Sequence, residues 1–202
     1  VLVRSNHQSK LLELKLQAKQ IPYHVVGGTA FFARGEIKDL MGYLRVLVNP
    51  NDDAAFLRIV NVPRRKIGSS TLEALGDYAN QRQCSLYNAI DEFGLEQRLG
   101  EQALSRLRKL SQWFDNARKG VETGNAVAAI QEMLDDIDYL GWLNQNSSSP
   151  AVADRKMENV QYLLQSIHKE IEKLTDKAST NTVRHDGDAS IAHRSYSNVC
   201  VC

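Results

Sequence analysis

The sequence predicts a mainly α-helical fold that is preceded by a short β-α-β segment at the N-terminus. Before residue 27, two short apolar and β-branched runs, at residues 1–3 and 21–26, flank a leucine-rich stretch with helical spacing. Beyond residue 28, apolar residues recur at helical spacing almost to residue 174. The change of pattern indicates two kinds of structure in one chain.

We expect the N-terminal segment to begin inside a strand, since residues 1–3 are apolar and no initiator methionine or cap precedes them. Ser5 or Asn6 caps the following helix, which runs to about Lys19. Only one other strand follows within reach, so we expect the chain to be a fragment of a larger protein. Gly27 and Gly28 end the second strand, and the backbone freedom of two adjacent glycines predicts a hinge or domain boundary.

The helical part divides at turn and capping signals. Residues 49–52 end one helix and cap the next, and residues 67–70 begin a third. Further helices are predicted at about 85–93, 99–119, 125–138 and 151–174, with Pro150 in the first turn of the last one. From residue 175 the chain is polar and without periodicity, and we expect a disordered or non-native tail at 175–202.

Composition and charge limit the classes of function. No stretch of the 202 residues approaches the roughly 18 apolar residues that cross a bilayer, so we expect no membrane partner. Three cysteines suggest a reducing compartment and a cytoplasmic location, with neither a disulfide frame nor a zinc site. Residues 1–82 hold 12 Lys/Arg against 7 Asp/Glu, a difference of +5, whereas residues 121–175 hold 4 against 9, a difference of −5. The N-terminal half is therefore the better face for an anionic partner, although both halves could simply carry solvated charges.

The first candidate site is a basic loop that leads into a helix. Its members, which we expect to grip a nucleic-acid backbone, are Arg64, Arg65, Lys66, Gly68, Ser69 and Ser70. A helix N-terminus exposes unpaired N–H groups and a partial positive charge, so a phosphate fits against its first residues while the three cations neutralise it. The alternative is a capped helix that merely follows a basic loop.

Two further groups of residues have competing interpretations. Arg4 and Asn6 follow the first strand, where α/β sheets place ligand-binding loops, but polar residues at such a turn also serve as caps. Phe31 and Phe32 with Arg34 follow the double glycine. They could stack on a base or dock the second domain onto the first.

Several catalytic patterns are missing from the sequence. It has no Gly-x-x-x-x-Gly-Lys-Ser/Thr loop, no metal-ligand cluster and no Ser/His/Asp or Cys/His arrangement. We therefore expect no cofactor and no catalytic residue in this chain, which alone should not hydrolyse a nucleotide.

Three stretches together resemble the Rep/UvrD/PcrA group of superfamily 1 DNA helicases. They are VLVRSNHQSK, IPYHVVGGTAFFARGEIKDLMGYLRVLVNPNDDAAFLRIVNVPRRKIGSSTLEAL and NVQYLL, and the resemblance covers roughly residues 1–174. It implies that residues 1–27 are part of a RecA-like motor domain, called 2A, and that residues 28–174 are the helical 2B subdomain.

The resemblance also implies roles for individual residues. Arg4 and Asn6 would contact single-stranded DNA in the motor cleft, and Gly27 with Gly28 would be the hinge about which 2B swivels. The family's Gly-Ile-Gly turn, which touches duplex DNA, aligns with residues 66–68. Lys66 replaces the first glycine of this turn. The replacement weakens the expectation that the backbone geometry of the family's turn applies here, but a lysine still attracts phosphate.

Two functions follow from the resemblance and the charge pattern. The parent would be an ATP-dependent 3′-to-5′ DNA helicase of replication or repair that uses ATP and Mg²⁺, and this fragment would be its DNA-contacting and regulatory 2B portion without ATPase activity. The alternative is a non-enzymatic helical module that binds replication or repair proteins, to which the acidic region at 121–175 is better suited.

Overall fold

The computed structural model describes residues 6–25, 30–123 and 126–182, and helices dominate these ranges. They contain nine α-helices and two short 3₁₀ helices. The α-helices are α1 (Asn6–Ala18), α2 (Gly35–Val48), α3 (Asp53–Ile59), α4 (Ser69–Arg82), α5 (Leu86–Ala89), α6 (Glu101–Thr123), α7 (Ala126–Asp136), α8 (Tyr139–Gln145) and α9 (Pro150–Thr182), and the 3₁₀ helices are Phe31–Ala33 and Phe93–Gln97. The mainly α-helical class is confirmed.

The expected β-α-β arrangement is not present in the described residues. The first strand, at residues 1–3, lies outside them, and residues 21–25 of the second form no strand. A strand forms only where a neighbour accepts its backbone hydrogen bonds, and no strand occurs elsewhere in the described ranges. Pro22 also lacks an N–H to donate. Within the described residues, the structure does not bear out the strand predicted at 21–26, since residues 21–25 form none.

Helix bounds differ from the predicted ones in several places. The helix predicted at 85–93 is confined to α5, Leu86–Ala89, and the one predicted at 99–119 is α6, Glu101–Thr123. The predicted helix at 125–138 is followed by a separate helix, α8, because Asp138 adopts a left-handed conformation with φ 47° and ends the run. Its carboxylate then caps α8 by accepting from the N–H of Gly141. The last helix begins at Pro150 as expected but continues to Thr182, eight residues past the predicted end at 174, so residues 175–182 of the predicted tail are helical. The rest of that tail, residues 183–202, lies outside the described residues.

Helix α2 is the centre of the core because apolar residues cover most of its circumference. It packs against α3, α6 and α9, and its side chains Ile37, Leu40, Tyr43 and Val46 are fully buried. The turn at 49–52 behaves as predicted, since the Asp52 carboxylate accepts from the N–H of Ala55 at 2.9 Å and caps α3. This arrangement fixes α3, and with it the start of the basic loop, against the core.

An aromatic cluster joins α2, α3, α5 and α6 below that loop. Its members, whose ring centroids lie 5.0–6.2 Å from a neighbouring ring, are Tyr43, Phe56, Tyr87, Trp113 and Phe114. Edge-to-face and offset packing at these distances is favourable beyond the burial of apolar area. Trp113 is a half-buried residue that packs against this core.

Buried polar contacts attach α1 to the helical part of the chain. The Glu13 carboxylate, which is 4% exposed, accepts from the N–H of Phe31 at 2.6 Å and from the hydroxyl of Ser9 at 2.7 Å. Burial, and secondarily the Glu13 charge, raises the pKa of nearby Tyr23. These bonds fix the start of the helical part directly after the predicted hinge.

A second contact links α1 to α2 and α9. The Lys10 ammonium donates to the side-chain oxygen of Asn159, whose amide nitrogen donates to the Glu36 carboxylate at 2.7 Å. Lys10 Nζ also lies 5.9 Å from the ring centroid of Phe31 and 5.7 Å from that of Tyr162. Burial lowers the pKa of Lys10, followed by the charge of nearby Arg34. Polar and cation-π contacts therefore hold three helices together.

Two kinds of site are missing from the part of the chain that the structure describes. No helix there combines the length and the apolar character that a membrane crossing needs. Nor do three or more His, Cys, Asp or Glu side chains come together there as metal ligands would.

Candidate nucleic-acid interface

The structure places six of the predicted site residues together, between α3 and the first turn of α4. Arg64, Arg65 and Lys66 lie in the loop, and Gly68 is the residue before α4, whose first residues are Ser69 and Ser70. Of the other predicted residues, Asn6 begins α1, whereas Arg4, Gly27 and Gly28 lie outside the described residues. The candidate site is therefore built on residues 61–71, which we call the basic loop.

Asn61 shapes the basic loop from within. Its side-chain nitrogen donates to the carbonyl of Ile67 at 2.6 Å, and its side-chain oxygen accepts from the N–H of Ile67 at 3.2 Å. Ile67 is 4% exposed and anchors the far end of the loop in the core. The two hydrogen bonds of Asn61 and the buried side chain of Ile67 therefore hold the backbone of the loop in one defined conformation.

Arg65 points into the protein. Its guanidinium lies 5.9 Å from the ring centroids of both Tyr43 and Trp113, and its Nη2 donates to the Tyr43 hydroxyl at 2.8 Å. Its Nη1 lies 3.0–3.4 Å from the carbonyl oxygens of Ile59, Val60, Val62 and Pro63. The guanidinium therefore donates hydrogen bonds to the carbonyl oxygens of the turn, and its contacts are with other groups of the protein.

Tyr43 completes this arrangement from α2. Burial raises the pKa of Tyr43 to about 12, so its hydroxyl stays protonated at neutral pH. The hydroxyl donates to the carbonyl of Val62 while it accepts from Arg65. One buried tyrosine thus fixes both the backbone of the turn and the guanidinium above it.

Arg64 and Lys66 point the other way. Both side chains are exposed, and neither makes a hydrogen bond or an ion pair with another described residue. Lys66 has a φ of 57°, the left-handed region that favours glycine. Its carbonyl accepts from Arg106 Nη1 at 2.8 Å, which holds that backbone in place. Two cations are thus presented to solvent from a fixed backbone on either side of the inward Arg65.

The start of α4 offers hydrogen-bond donors beside these cations. Gly68 precedes the helix with no side-chain cap, and the first turn carries no acidic residue. The first intrahelical bond runs from the N–H of Leu72 to the carbonyl of Gly68. Hence the N–H groups of Ser69, Ser70 and Thr71 have no acceptor within the helix, and the helix dipole adds partial positive charge.

Helix α6 borders the basic loop, a contribution that sequence reasoning missed. Arg106 reaches the loop through the carbonyl of Lys66, and Trp113 reaches it through Arg65. The signal was available in the sequence, because α6 carries Arg106, Arg108 and Lys109 and no acid between Glu101 and Asp115. What the sequence did not provide was the contact between α6 and a loop 40 residues earlier.

The phenylalanine pair after the double glycine has a packing role in the structure. Phe31 is fully buried and makes edge-to-face contacts with Phe32 and Tyr162, while Arg34 lies 5.9 Å from its ring centroid. A ring with no exposed surface has no face for a base. Phe31 also contacts α1, because its N–H donates to Glu13 and its ring lies 5.9 Å from Lys10 Nζ, so of the two interpretations docking fits these contacts.

Comparisons with known proteins agree on one group. The family model described as UvrD-like helicase C-terminal domain matches residues 1–186. The chain is 45% identical over 163 residues to the ATP-dependent DNA helicase Rep of Salmonella typhimurium, and 44% identical over 163 residues to that of Escherichia coli. Each match covers 81% of this chain and 24% of the relative.

A further relative is more distant. The ATP-dependent DNA helicase PcrA of Bacillus subtilis is 33% identical over 176 residues, which is 87% of this chain and 23% of the relative. The chain thus spans about a quarter of the length of these three relatives.

Proposed function

The chain belongs to the UvrD-like helicase C-terminal domain family, in the Rep/UvrD/PcrA group, and on that premise we propose that it is the DNA-contacting and regulatory segment of an ATP-dependent 3′-to-5′ DNA helicase. In this proposal, residues 1–27 belong to the 2A motor domain and residues 28–174 to the 2B subdomain. Gly27 and Gly28 form the hinge between them, and Arg4 and Asn6 contact single-stranded DNA.

The observation that carries the proposal is the pair of exposed cations on the basic loop, which have no side-chain partner among the described residues. Arg64 and Lys66 lie next to the free N–H groups at the start of α4, which suits a phosphate. The left-handed backbone of Lys66 is the conformation expected of the first glycine in a Gly-Ile-Gly turn. We therefore assign the contact with the duplex backbone to Arg64, Lys66, Gly68, Ser69 and Ser70, and we give Arg65 a positioning role.

ATP and Mg²⁺ belong to the parent protein in this proposal. The sequence contains no phosphate-binding Gly-x-x-x-x-Gly-Lys-Ser/Thr loop, and no cluster of metal-ligating side chains occurs among the described residues. Among the described residues, no set of side chains suits a magnesium nucleotide. We therefore assign DNA binding, and not nucleotide hydrolysis, to this segment.

The proposal predicts weak, sequence-independent binding of the purified chain to duplex DNA, with a steep dependence on salt. Fluorescence anisotropy with a labelled duplex between 50 and 200 mM salt measures it. Replacing Arg64 and Lys66 together with alanine should weaken binding and flatten the slope of log K against log salt by about 1.8, since each phosphate contact contributes about 0.9.

A double variant of α9 provides a matched control. Arg155→Ala with Lys169→Ala removes the same two kinds of cation from exposed positions on α9, a helix that packs against α2, α7 and α8. The control should keep both the affinity and the slope of the unaltered chain. Equal binding at low and high salt, or equal losses in the two double variants, would contradict the proposed contact.

A second candidate function is binding of a protein partner at the acidic region, residues 121–175. A shallow depression of about 430 Å³ between α8 and α9 is lined by Leu140, Met157 and Tyr162 together with Asp154 and Glu158. Leu140 is 41% exposed there. An apolar floor with two carboxylates suits a basic, partly apolar segment of a replication or repair protein.

A pull-down with purified replication proteins tests this second function. Leu140→Ser should reduce capture of such a partner by about tenfold, because one buried leucine contributes roughly 1.5 kcal/mol or more. Duplex binding should be unchanged in the same variant. If Leu140→Ser captures as much of the replication protein as the unaltered chain does, the depression is not the docking site.

A further inference from the structure

The charge pattern around the basic loop extends beyond the residues proposed above. Between Asp53 and Glu73 the sequence carries Arg58, Arg64, Arg65 and Lys66 and no acid. Between Glu101 and Asp115, α6 again carries three cations and no acid. Two separate acid-free basic segments therefore meet where α6 borders the loop.

The contacts fix which face of α6 is turned to the basic loop. Arg106 donates to the carbonyl of Lys66, and seven residues later Trp113 packs against the guanidinium of Arg65. Positions 106 and 113 are two helical turns apart and share one face. Lys109 is three residues after Arg106 and four before Trp113. Residues at this spacing are neighbours on a helix surface, so Lys109 lies on the face of α6 that is turned to the basic loop.

Lys109 is exposed and has no hydrogen-bond or ion-pair partner among the described residues. Its neighbour Arg108 differs, since it forms an ion pair with Glu96 at 3.7 Å. Lys109 therefore resembles Arg64 and Lys66 as an exposed cation on a fixed backbone, and it lies on the face of α6 that borders the basic loop.

We propose that Arg106 and Lys109 of α6 form, with Arg64 and Lys66, one continuous cationic track that binds successive phosphates of a single DNA strand within a duplex. This inference rests on the proposed function and extends its site from a loop to two elements. Arg106 and Lys109 are separated by a rise of about 4.5 Å along α6. That rise is close to one step between phosphates of one strand, which are spaced about 3.4 Å along the duplex axis.

The aromatic residues beside the track favour a duplex over a single strand. Surfaces for single strands present exposed rings on which bases stack. Here Tyr43 is fully buried, and the half-buried Trp113 packs against Tyr43, Phe114 and Arg65. The cations face solvent while the rings are engaged in packing, which is a surface for phosphates and not for bases.

Lys109→Ala tests the track, because this side chain holds no part of the loop in place. Anisotropy titrations of the 202-residue chain with a blunt duplex should show a salt slope flatter by about 0.9 and weaker binding at 50 mM salt. Lys109→Glu should weaken binding further. Lys169→Ala on α9 is the matched control and should behave as the unaltered chain.

The outcomes separate this inference from the proposed function. If the Arg64 and Lys66 double variant loses binding while Lys109→Ala and Lys109→Glu match the Lys169→Ala control, the track is overturned and the loop contact stands. If the loop variants also bind normally, both are overturned. An effect of Lys109→Ala on a single strand that equals or exceeds its effect on the duplex would overturn the assignment to duplex DNA.

Discussion

Replacing Arg65 with methionine is expected to lower the free energy of unfolding by about 2–3 kcal/mol, because several backbone carbonyls of the turn lose their donor while partly buried. The Tyr43 hydroxyl loses a charged partner in the same change. For a chain of this size the melting temperature should fall by about 5–10 °C. Circular dichroism during thermal and urea unfolding measures both quantities.

The adjacent arginine provides the control for this prediction. Arg64→Met removes the same charge from an exposed side chain, so the free energy of unfolding should change by less than about 0.5 kcal/mol. Arg65→Lys keeps the charge but not the planar fork of donors, so it should destabilise the chain nearly as much as methionine does. Arg65→Lys with full stability and full DNA affinity would show that Arg65 serves as a simple phosphate contact.

Replacing Glu13 with alanine is expected to release the start of the helical part from α1. The N–H of Phe31 and the hydroxyl of Ser9 both lose their carboxylate acceptor at a site where Glu13 is 4% exposed. A buried N–H without an acceptor costs about 2 kcal/mol, which corresponds to roughly 30-fold faster amide exchange at Phe31. Hydrogen exchange followed by mass spectrometry measures this, and trypsin should cleave faster after Lys19.

Two variants define the cause of that effect. Glu13→Gln keeps an acceptor oxygen but not the charge, so amide exchange at Phe31 should be intermediate. Glu73→Ala removes an exposed carboxylate on α4 and should leave exchange and cleavage as they are in the unaltered chain. Unchanged exchange at Phe31 in Glu13→Ala would mean that packing of the ring, and not the hydrogen bond, holds this segment.

Most of the helices were predictable because their signals are local. The apolar spacing of α2, the cap at Asp52 and the proline at the start of α9 act over a few residues, and the structure confirms each. The strand at 21–25 was not predictable in the same way, since a strand depends on a neighbour that the described residues do not contain. The break at Asp138 depends on one left-handed residue, for which aspartate is a weak signal.

The candidate site shows the same division. Sequence reasoning brought Arg64, Arg65 and Lys66 together because they are adjacent, and it treated them as three equivalent cations. Their directions depend on Tyr43 and Trp113, which come from two other helices. Neighbouring identical side chains therefore have opposite surroundings, a distinction that composition and spacing do not contain.

The sequence by itself determined the helical class, the position of the basic loop and the membership in a helicase family, because periodicity, adjacent residues and family motifs are properties of the linear chain. Only the tertiary structure decided that Arg65 bonds to Tyr43, that α6 borders the basic loop and that Glu13 accepts a hydrogen bond from the N–H of Phe31. Each of these facts is a contact between residues 18 to 48 positions apart. Such contacts form only when the helices pack, because packing buries the polar groups and an unpaired buried polar group is energetically costly.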